Sequence, residues 1–230
     1  MLQNESLPVR SYRGKKLLVS ADGSATFYNT QYQQSYRALS TGAFTESLVK
    51  FFLPSKLMEK RVYKDLRILD ICFGLGYNCA VAFEYLSRLQ SPHIVHIVSI
   101  DKDESLTTLL KSLTFLFPTE GYRILKECIA LGRCGTFSLE LYIRDALEAV
   151  EQLQGSFDAI FFDPFSMAKN PEMWSVELFK RLRELLSVDG CLLSYASGKK
   201  VRLMMQSAGL KTADTQTARN AFMPGTIALR

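Results

Sequence analysis

The sequence predicts an α/β protein built on a Rossmann-like, doubly wound and mostly parallel sheet. Three observations lead there. Short β-branched runs alternate with helical patterns from residue 67 onward. One run, 158–162 (DAIFF), is apolar without alternation, as a parallel strand covered on both faces should be. A glycine-bearing turn, Asp70-Ile-Cys-Phe-Gly74-Leu-Gly76-Tyr-Asn78, stands between the first such run and the next helical pattern. That is where open α/β sheets bind their ligands.

In chain order, 67–72 (RILDIC) reads as the first strand of the alternation. A helix over 78–89 follows, with Ala80, Val81, Phe83, Leu86 and Leu89 at near-helical spacing. Residues 94–100 (IVHIVSI) form a second strand, 104–115 a helix, 139–143 a third strand and 146–153 a helix. After the fourth strand, 158–162, a long helix is expected over 171–186, with Pro171 at its start and Asp189-Gly190 beyond its end. Residues 191–196 (CLLSYA) are a fifth strand, 199–208 a helix that Gly209 terminates, and 226–229 a final strand. Residues 1–66 do not fit the alternation. Asp22-Gly23 between KLLVS and ATFYN signals a hairpin, and 42–53 (GAFTESLVKFFL) reads as a helix. The expected division is an N-terminal extension over 1–66, hairpin plus helix, and a sheet domain over 67–230.

The 230 residues make about one domain with an appendage, 47% apolar and 22% charged, as in soluble globular chains. Mean hydropathy is +0.02 and no 18-residue apolar run occurs, which argues against a spanning helix. The start, MLQNESLPVRSYRGKK, does not read as a signal peptide. Five cysteines without a CxxC pair argue against a disulfide scaffold or zinc ribbon, and only two histidines, His93 and His96, argue against a His-rich metal site. The expected address is the cytoplasm. The net charge of +5 is unevenly spread: 1–66 and 199–230 each carry +5, and 67–198 carries −5. If the two basic ends meet in space they rim an acidic pocket, an arrangement suited to RNA; the alternative is a merely solvated surface.

Four constellations carry chemistry. In the glycine turn, Gly74 and Gly76 allow a sharp bend and close backbone approach, Asp70 ends the strand, and Cys72 and Cys79 stand where other nucleotide-binding turns have glycine. Asp101, ending the second strand, can accept hydrogen bonds from both hydroxyls of a ribose, or serve the next helix as a cap. Asp145 can accept from an adenine amine and the Ala146 N–H can donate to a ring nitrogen; a helix N-cap is the plainer role, and the two can coexist. The fourth is Phe157-Asp-Ala-Ile-Phe-Phe-Asp163-Pro164-Phe165-Ser166-Met-Ala-Lys169-Asn170-Pro171-Glu172-Met173-Trp174. Asp163 and the Pro164 carbonyl are acceptors that can hold the N–H bonds of an amine and aim its lone pair. Phe165 and Trp174 can stack on a base or simply pack.

ILDICFGLGYN, SIDKD, SADGS, GAFTES and above all FFDPFSMAKNPEMWSVELF resemble the methyltransferase domain of the bacterial tRNA-modifying MnmC family, over roughly residues 18–228. The resemblance implies S-adenosylmethionine as donor and tRNA as partner. It implies methylation of 5-aminomethyl-2-thiouridine at the wobble position to 5-methylaminomethyl-2-thiouridine. It implies that Asp70, Gly74, Gly76, Asn78, Asp101, Asp145 and Ala146 hold the donor. Asp163 is then catalytic, and Pro164, Phe165, Ser166, Lys169 and Asn170 lie against the substrate. No metal and no membrane are expected. Cys72 replaces a family glycine, Met167 replaces a proline, and the tail at 218–222 is poorer in basic residues than the family pattern. With the sequence ending at Arg230, the FAD-dependent oxidase half of two-domain members is not expected. Two alternatives stand beside this reading: methyl or aminopropyl transfer to a small amine, and a binding protein that keeps the fold without the chemistry.

Overall fold

The computed structural model describes residues 11–112, 119–215 and 224–230. Strands β1 (Ser11–Tyr12), β2 (Lys15–Val19), β3 (Ala25–Asn29) and β4 (Gln34–Ser35) form a small antiparallel sheet in that order. Asp22-Gly23 lies in the turn between β2 and β3, which pair from Lys15 opposite Asn29 to Val19 opposite Ala25. Next come α1 (Ala43–Ser47), a π-turn at Leu48–Phe52, α2 (Leu53–Ser55) and α3 (Leu57–Lys60). The helix expected over 42–53 is thus present but widened. Pro54 has no N–H and its ring crowds the carbonyl four residues back, and a π-turn relieves that crowding.

The N-terminus of α1 is capped from the hairpin. Asp22 Oδ2 accepts from the Thr45 N–H at 2.9 Å, and Ser24 Oγ from the Ala43 N–H at 2.9 Å. Gly42 stands at φ +97°, and a Cβ there would meet the Asp22 carboxylate at 2.1 Å. The SADGS and GAFTES motifs are therefore two halves of one tertiary helix cap.

The main sheet unfolds in order as β5 (Leu66–Ile71), α4 (Tyr77–Ser87), β6 (Val95–Asp101), α5 (Ser105–Ser112), α6 (Glu120–Leu131), β7 (Arg133–Cys134), β8 (Phe137–Ile143), α7 (Ala146–Gln152), β9 (Phe157–Phe162), a 3-10 turn at Pro171–Met173, α8 (Val176–Glu184), β10 (Leu186–Ser194), α9 (Lys199–Ser207), β11 (Lys211–Asp214) and β12 (Thr226–Leu229). The spatial order is β11-β12-β10-β9-β5-β6-β8-β7. The five strands from β10 to β8 are parallel; β12, β11 and β7 run antiparallel to their neighbours. Alternate residues feed two cores. Ile68, Ile97, Ala159 and Phe161 pack with α4, α6 and the N-terminal elements, including Phe27, Phe51 and Phe52. Leu69, Val98, Ile160 and Phe162 pack with α7, α8 and α9. The strand order reverses between β9 and β5, so a crevice opens at their carboxyl ends.

Two local expectations are corrected. The helix expected over 171–186 is a 3-10 turn followed by α8, because Ser175 is extended and caps α8 through Oγ, which accepts from the Leu178 N–H at 3.1 Å. Strand β10 begins at Leu186, not 191, and its pairing with β9 shifts between Leu186 and Cys191, across Asp189-Gly190. The strands β7 and β11 and the helix α6 were not foreseen. Thr119 caps α6, Tyr122, Leu125 and Cys128 form its buried stripe, and Gly132 follows its end, so the signal was present in the sequence. The helix read over 104–115 is seen to Ser112; its last residues, and the 218–222 tail, lie outside the described residues.

Candidate functional site

The loops after β5, β6, β8 and β9 converge on one cleft. Gly74, Asp101, Asp145, Ala146, Asp163, Phe165 and Asn170 line it, so seven of the sequence-derived site residues meet at one cleft. Gly74 N–H donates to Asp101 Oδ2 at 2.8 Å, and Asp103 N–H to Asp101 Oδ1 at 2.9 Å. These bonds fix the carboxylate while leaving lone pairs on both oxygens. Burial lifts the Asp101 carboxyl to about 6 against those two N–H groups. Asp145 caps α7 by accepting from the Leu147 N–H at 2.9 Å, the plainer of its two expected roles, and also lines the cleft. A Cβ on Gly74 would come within 3.2 Å of the Tyr36 ring. The backbone here is pressed between that ring and the cleft.

Other expected residues lie behind the wall. Asp70 is fully buried and accepts from Asn78 Nδ2 and Cys79 Sγ, both at 3.3 Å, and from Ser99 Oγ at 3.2 Å. Asn78 spans both acids, donating also to Asp163 Oδ2 at 3.1 Å. Gly76 begins α4 beneath the turn, in contact with Phe73 and Leu125. Pro164 is buried. Ser166 donates through Oγ to Gln34 Oε1 at 2.8 Å, and Lys169 through Nζ to Gln33 Oε1 at 3.3 Å. Trp174 is packing: its ring meets Phe162 edge-on at 5.2 Å and its indole N–H donates to the Phe165 carbonyl at 3.0 Å. Cys72, at φ +67°, lines the cleft rather than merely packing below it.

The largest surprise is the N-terminal arm, which supplies Asn29, Tyr32, Tyr36 and Arg37 to the same cleft. Tyr32 stacks on Phe165 at 4.7 Å between ring centroids. Tyr36 donates to Asp103 Oδ2 at 3.2 Å, and Lys15 pairs with the same oxygen at 2.7 Å. Arg37 Nη2 lies 2.7 Å from Asp163 Oδ2, both side chains under a tenth exposed. Both contacts of the Asp163 carboxylate thus fall on Oδ2, and Oδ1 is the oxygen left to accept a further N–H. Burial lifts the Asp163 carboxyl to about 7; Arg37 and Asn78 pull it down, and the charges of Glu46 and Asp70 push it up. Periodicity could not reveal these partners, because a side chain 67 residues away from Asp103 carries no local signal.

The basic N-terminal arm turns much of its charge inward instead of forming the expected rim. Lys15, Arg37, Lys50, Lys60 and Arg61 of the basic N-terminal arm are buried. The exposed cations at the carboxyl edge of the sheet instead include Lys102, Arg144, Lys169, Lys199 and Lys200, from the loops after β6, β8, β9 and β10. No helix among the described residues is long and apolar enough to cross a membrane.

The lining suits a nucleoside with a charged tail: the carboxylates of Asp101 and Asp145 are acceptors, and Arg37 Nη1 and Asn170 Nδ2 are buried donors with no partner among the described residues. Known proteins agree with that shape. A family described as S-adenosyl-L-methionine-dependent methyltransferase matches residues 116–221. The crystal structure of MNMC2 from Aquifex aeolicus aligns with a TM-score of 0.83 and 31% identity, covering 95% of this chain and 71% of that one. The tRNA 5-methylaminomethyl-2-thiouridine biosynthesis bifunctional protein MnmC of Pseudomonas fluorescens is 33% identical over 159 residues, 62% of this chain and 24% of its own length. An uncharacterized protein of Methanocaldococcus jannaschii is 21% identical over 218 residues, 91% of this chain and 58% of its own. The chain therefore spans less than two thirds of these two curated relatives. From its likeness to the Aquifex protein in fold and sequence together, the chain belongs to the family of S-adenosylmethionine-dependent methyltransferases formed by MNMC2 and the methyltransferase region of MnmC.

Proposed function

We propose that the protein methylates the aminomethyl nitrogen of 5-aminomethyl-2-thiouridine at the wobble position of tRNA, in the cytoplasm. The observation that carries this reading is the buried Asp163 on the cleft wall, one oxygen tied to Arg37 and Asn78 and the other open. When bound, S-adenosylmethionine supplies an electrophilic methyl group. The chain's own residues do the rest. Asp101 takes the ribose hydroxyls, Asp145 and the Ala146 N–H take the adenine edge, and Gly74 gives the room. Asp70, Gly76 and Asn78 hold the loop from behind. Asp163 Oδ1 and the Pro164 carbonyl accept the amine's N–H bonds, which directs its lone pair along the line of attack, and Asp163 receives the proton released. Phe165 with Tyr32 offers a ring face for the base, and Ser166, Lys169 and Asn170 form the same edge. The exposed cations at that edge suit phosphates, and the acceptor-rich pocket suits an amine.

Asp101→Ala is expected to weaken S-adenosylhomocysteine binding about 10- to 100-fold in calorimetry, the loss of hydrogen bonds to a charged acceptor. An unchanged affinity would remove Asp101 from the donor site. The substrate is tested with labelled S-adenosylmethionine and bulk tRNA from cells lacking this protein, followed by nucleoside mass spectrometry. The label is expected in 5-methylaminomethyl-2-thiouridine, with transfer falling steeply between about 50 and 200 mM salt as phosphate contacts release counterions. Label in polyamines alone, or a flat salt response, contradicts an RNA substrate. Donor binding without any transfer supports a protein that has lost the chemistry.

A further inference from the structure

Two cations line the cleft among the described residues, against five acids: Asp101, Asp103, Asp145, Asp163 and Glu172. One cation, Lys102, has its side chain 49% exposed and sits 3.8 Å from Glu172. The other, Arg37, is 5% exposed and locked in place. Its Cζ lies 5.6 Å from the centroid of the Phe51 ring, its carbonyl accepts from Ser35 Oγ at 2.8 Å, and the next N–H, that of Ala38, donates to Glu46 Oε2 at 3.1 Å. That Glu46 belongs to the helix capped by the SADGS turn, so the shared motifs of the arm converge on the placement of this one guanidinium. Only half of its fork is used. Nη2 pairs with Asp163, whereas Nη1 is buried and has no hydrogen-bond partner among the described residues. A buried guanidinium N–H left unpaired is costly, and a carboxylate is the group whose geometry and charge match it best.

A methionine-derived donor carries one carboxylate, and in a wall this acidic that group has one buried cation to meet. We propose that Arg37 binds the α-carboxylate of the donor's amino-acid end through Nη1 while its Nη2 holds Asp163, so that one side chain sets the donor against the acid. Arg37 is then a donor-specificity residue. It admits the carboxylated donor and rejects the decarboxylated one, and so it biases the site toward methyl transfer and away from aminopropyl transfer. The proposal rests on the donor assignment above and adds a residue to it.

The test is binding alone. S-adenosylhomocysteine and its decarboxylated counterpart, S-adenosyl-3-thiopropylamine, are titrated calorimetrically into wild type, Arg37→Gln and Arg37→Lys. Wild type is expected to prefer the carboxylated ligand by about 30-fold or more. In Arg37→Gln that preference collapses to within about threefold, mainly through loss of the carboxylated ligand, and Arg37→Lys restores part of it. Equal binding of the two ligands by wild type overturns the proposal even if neither variant folds, and so does a preference that survives in Arg37→Gln. If wild type binds neither ligand, the donor assignment itself fails, which is a separate outcome.

Discussion

Asp163→Asn is expected to lower methyl transfer by about two to four orders of magnitude while S-adenosylhomocysteine binding stays within a few-fold of wild type. Asparagine keeps the side chain's shape and leaves an oxygen toward Arg37, 2.7 Å away in the wild type, so the cleft wall persists. What disappears is the anionic acceptor for the amine's N–H bonds and for its proton. The wild-type pH profile carries the same signature. With its carboxyl lifted to about 7 by burial, Asp163 is protonated below that value and cannot accept, so kcat/KM should rise with pH through about 7. Asp163→Asn should lose that limb. The stability sign is opposite. The folded chain holds this proton more tightly than the unfolded one, so Asp163's contribution to stability falls as pH rises from 3.8 toward 7. Wild-type transfer by Asp163→Asn would remove the residue from the mechanism.

Gly121→Ala should destabilise the fold by about 3 kcal/mol. In an isolated helix the change would be favourable by about 1 kcal/mol, because glycine is a poor helix former. Here α6 crosses α4 so closely that a Cβ on Gly121 would stand 2.0 Å from the Ala80 carbonyl oxygen and 2.8 Å from the Glu84 backbone nitrogen. The obstacles include backbone atoms, so a helix must move. The Gly121 N–H also donates to Glu84 Oε2 at 2.8 Å, a bond that the movement would stretch. Because α4 carries Asn78, which bridges Asp70 and Asp163, donor affinity should fall along with stability. A melting temperature about 6–12 °C lower is expected by calorimetry. An unchanged or raised midpoint would mean that the helices do not approach as described.

Much of the architecture was legible because the parallel strands are written in continuous apolar runs. DAIFF is buried at every position, and Asp101 at the end of β6, Asp145 after β8 and Asp163 after β9 all line the cleft, where the strand pattern puts ligand-facing groups. What was not legible depends on distance in the chain. Pairing of Arg37 with Asp163, and docking of Gln34 on Ser166, join residues more than a hundred positions apart, and neither partner belongs to a periodic segment. Charge arithmetic failed for the same reason. It counted the cations of the N-terminal arm as surface, yet Lys15, Arg37 and Lys50 are spent on Asp103, Asp163 and Glu46. Trp174 and Phe165 show the limit for aromatics: their types were equally suited to stacking on a base, and only the fold sends one into the core and the other to the cleft.

The most direct measurement is a crystal structure with S-adenosylhomocysteine bound. The account predicts its ribose on Asp101, its adenine beside Asp145 and Ala146, and its sulfur facing Asp163. A ligand seated elsewhere, or one whose sulfur is turned away from Asp163, would contradict it.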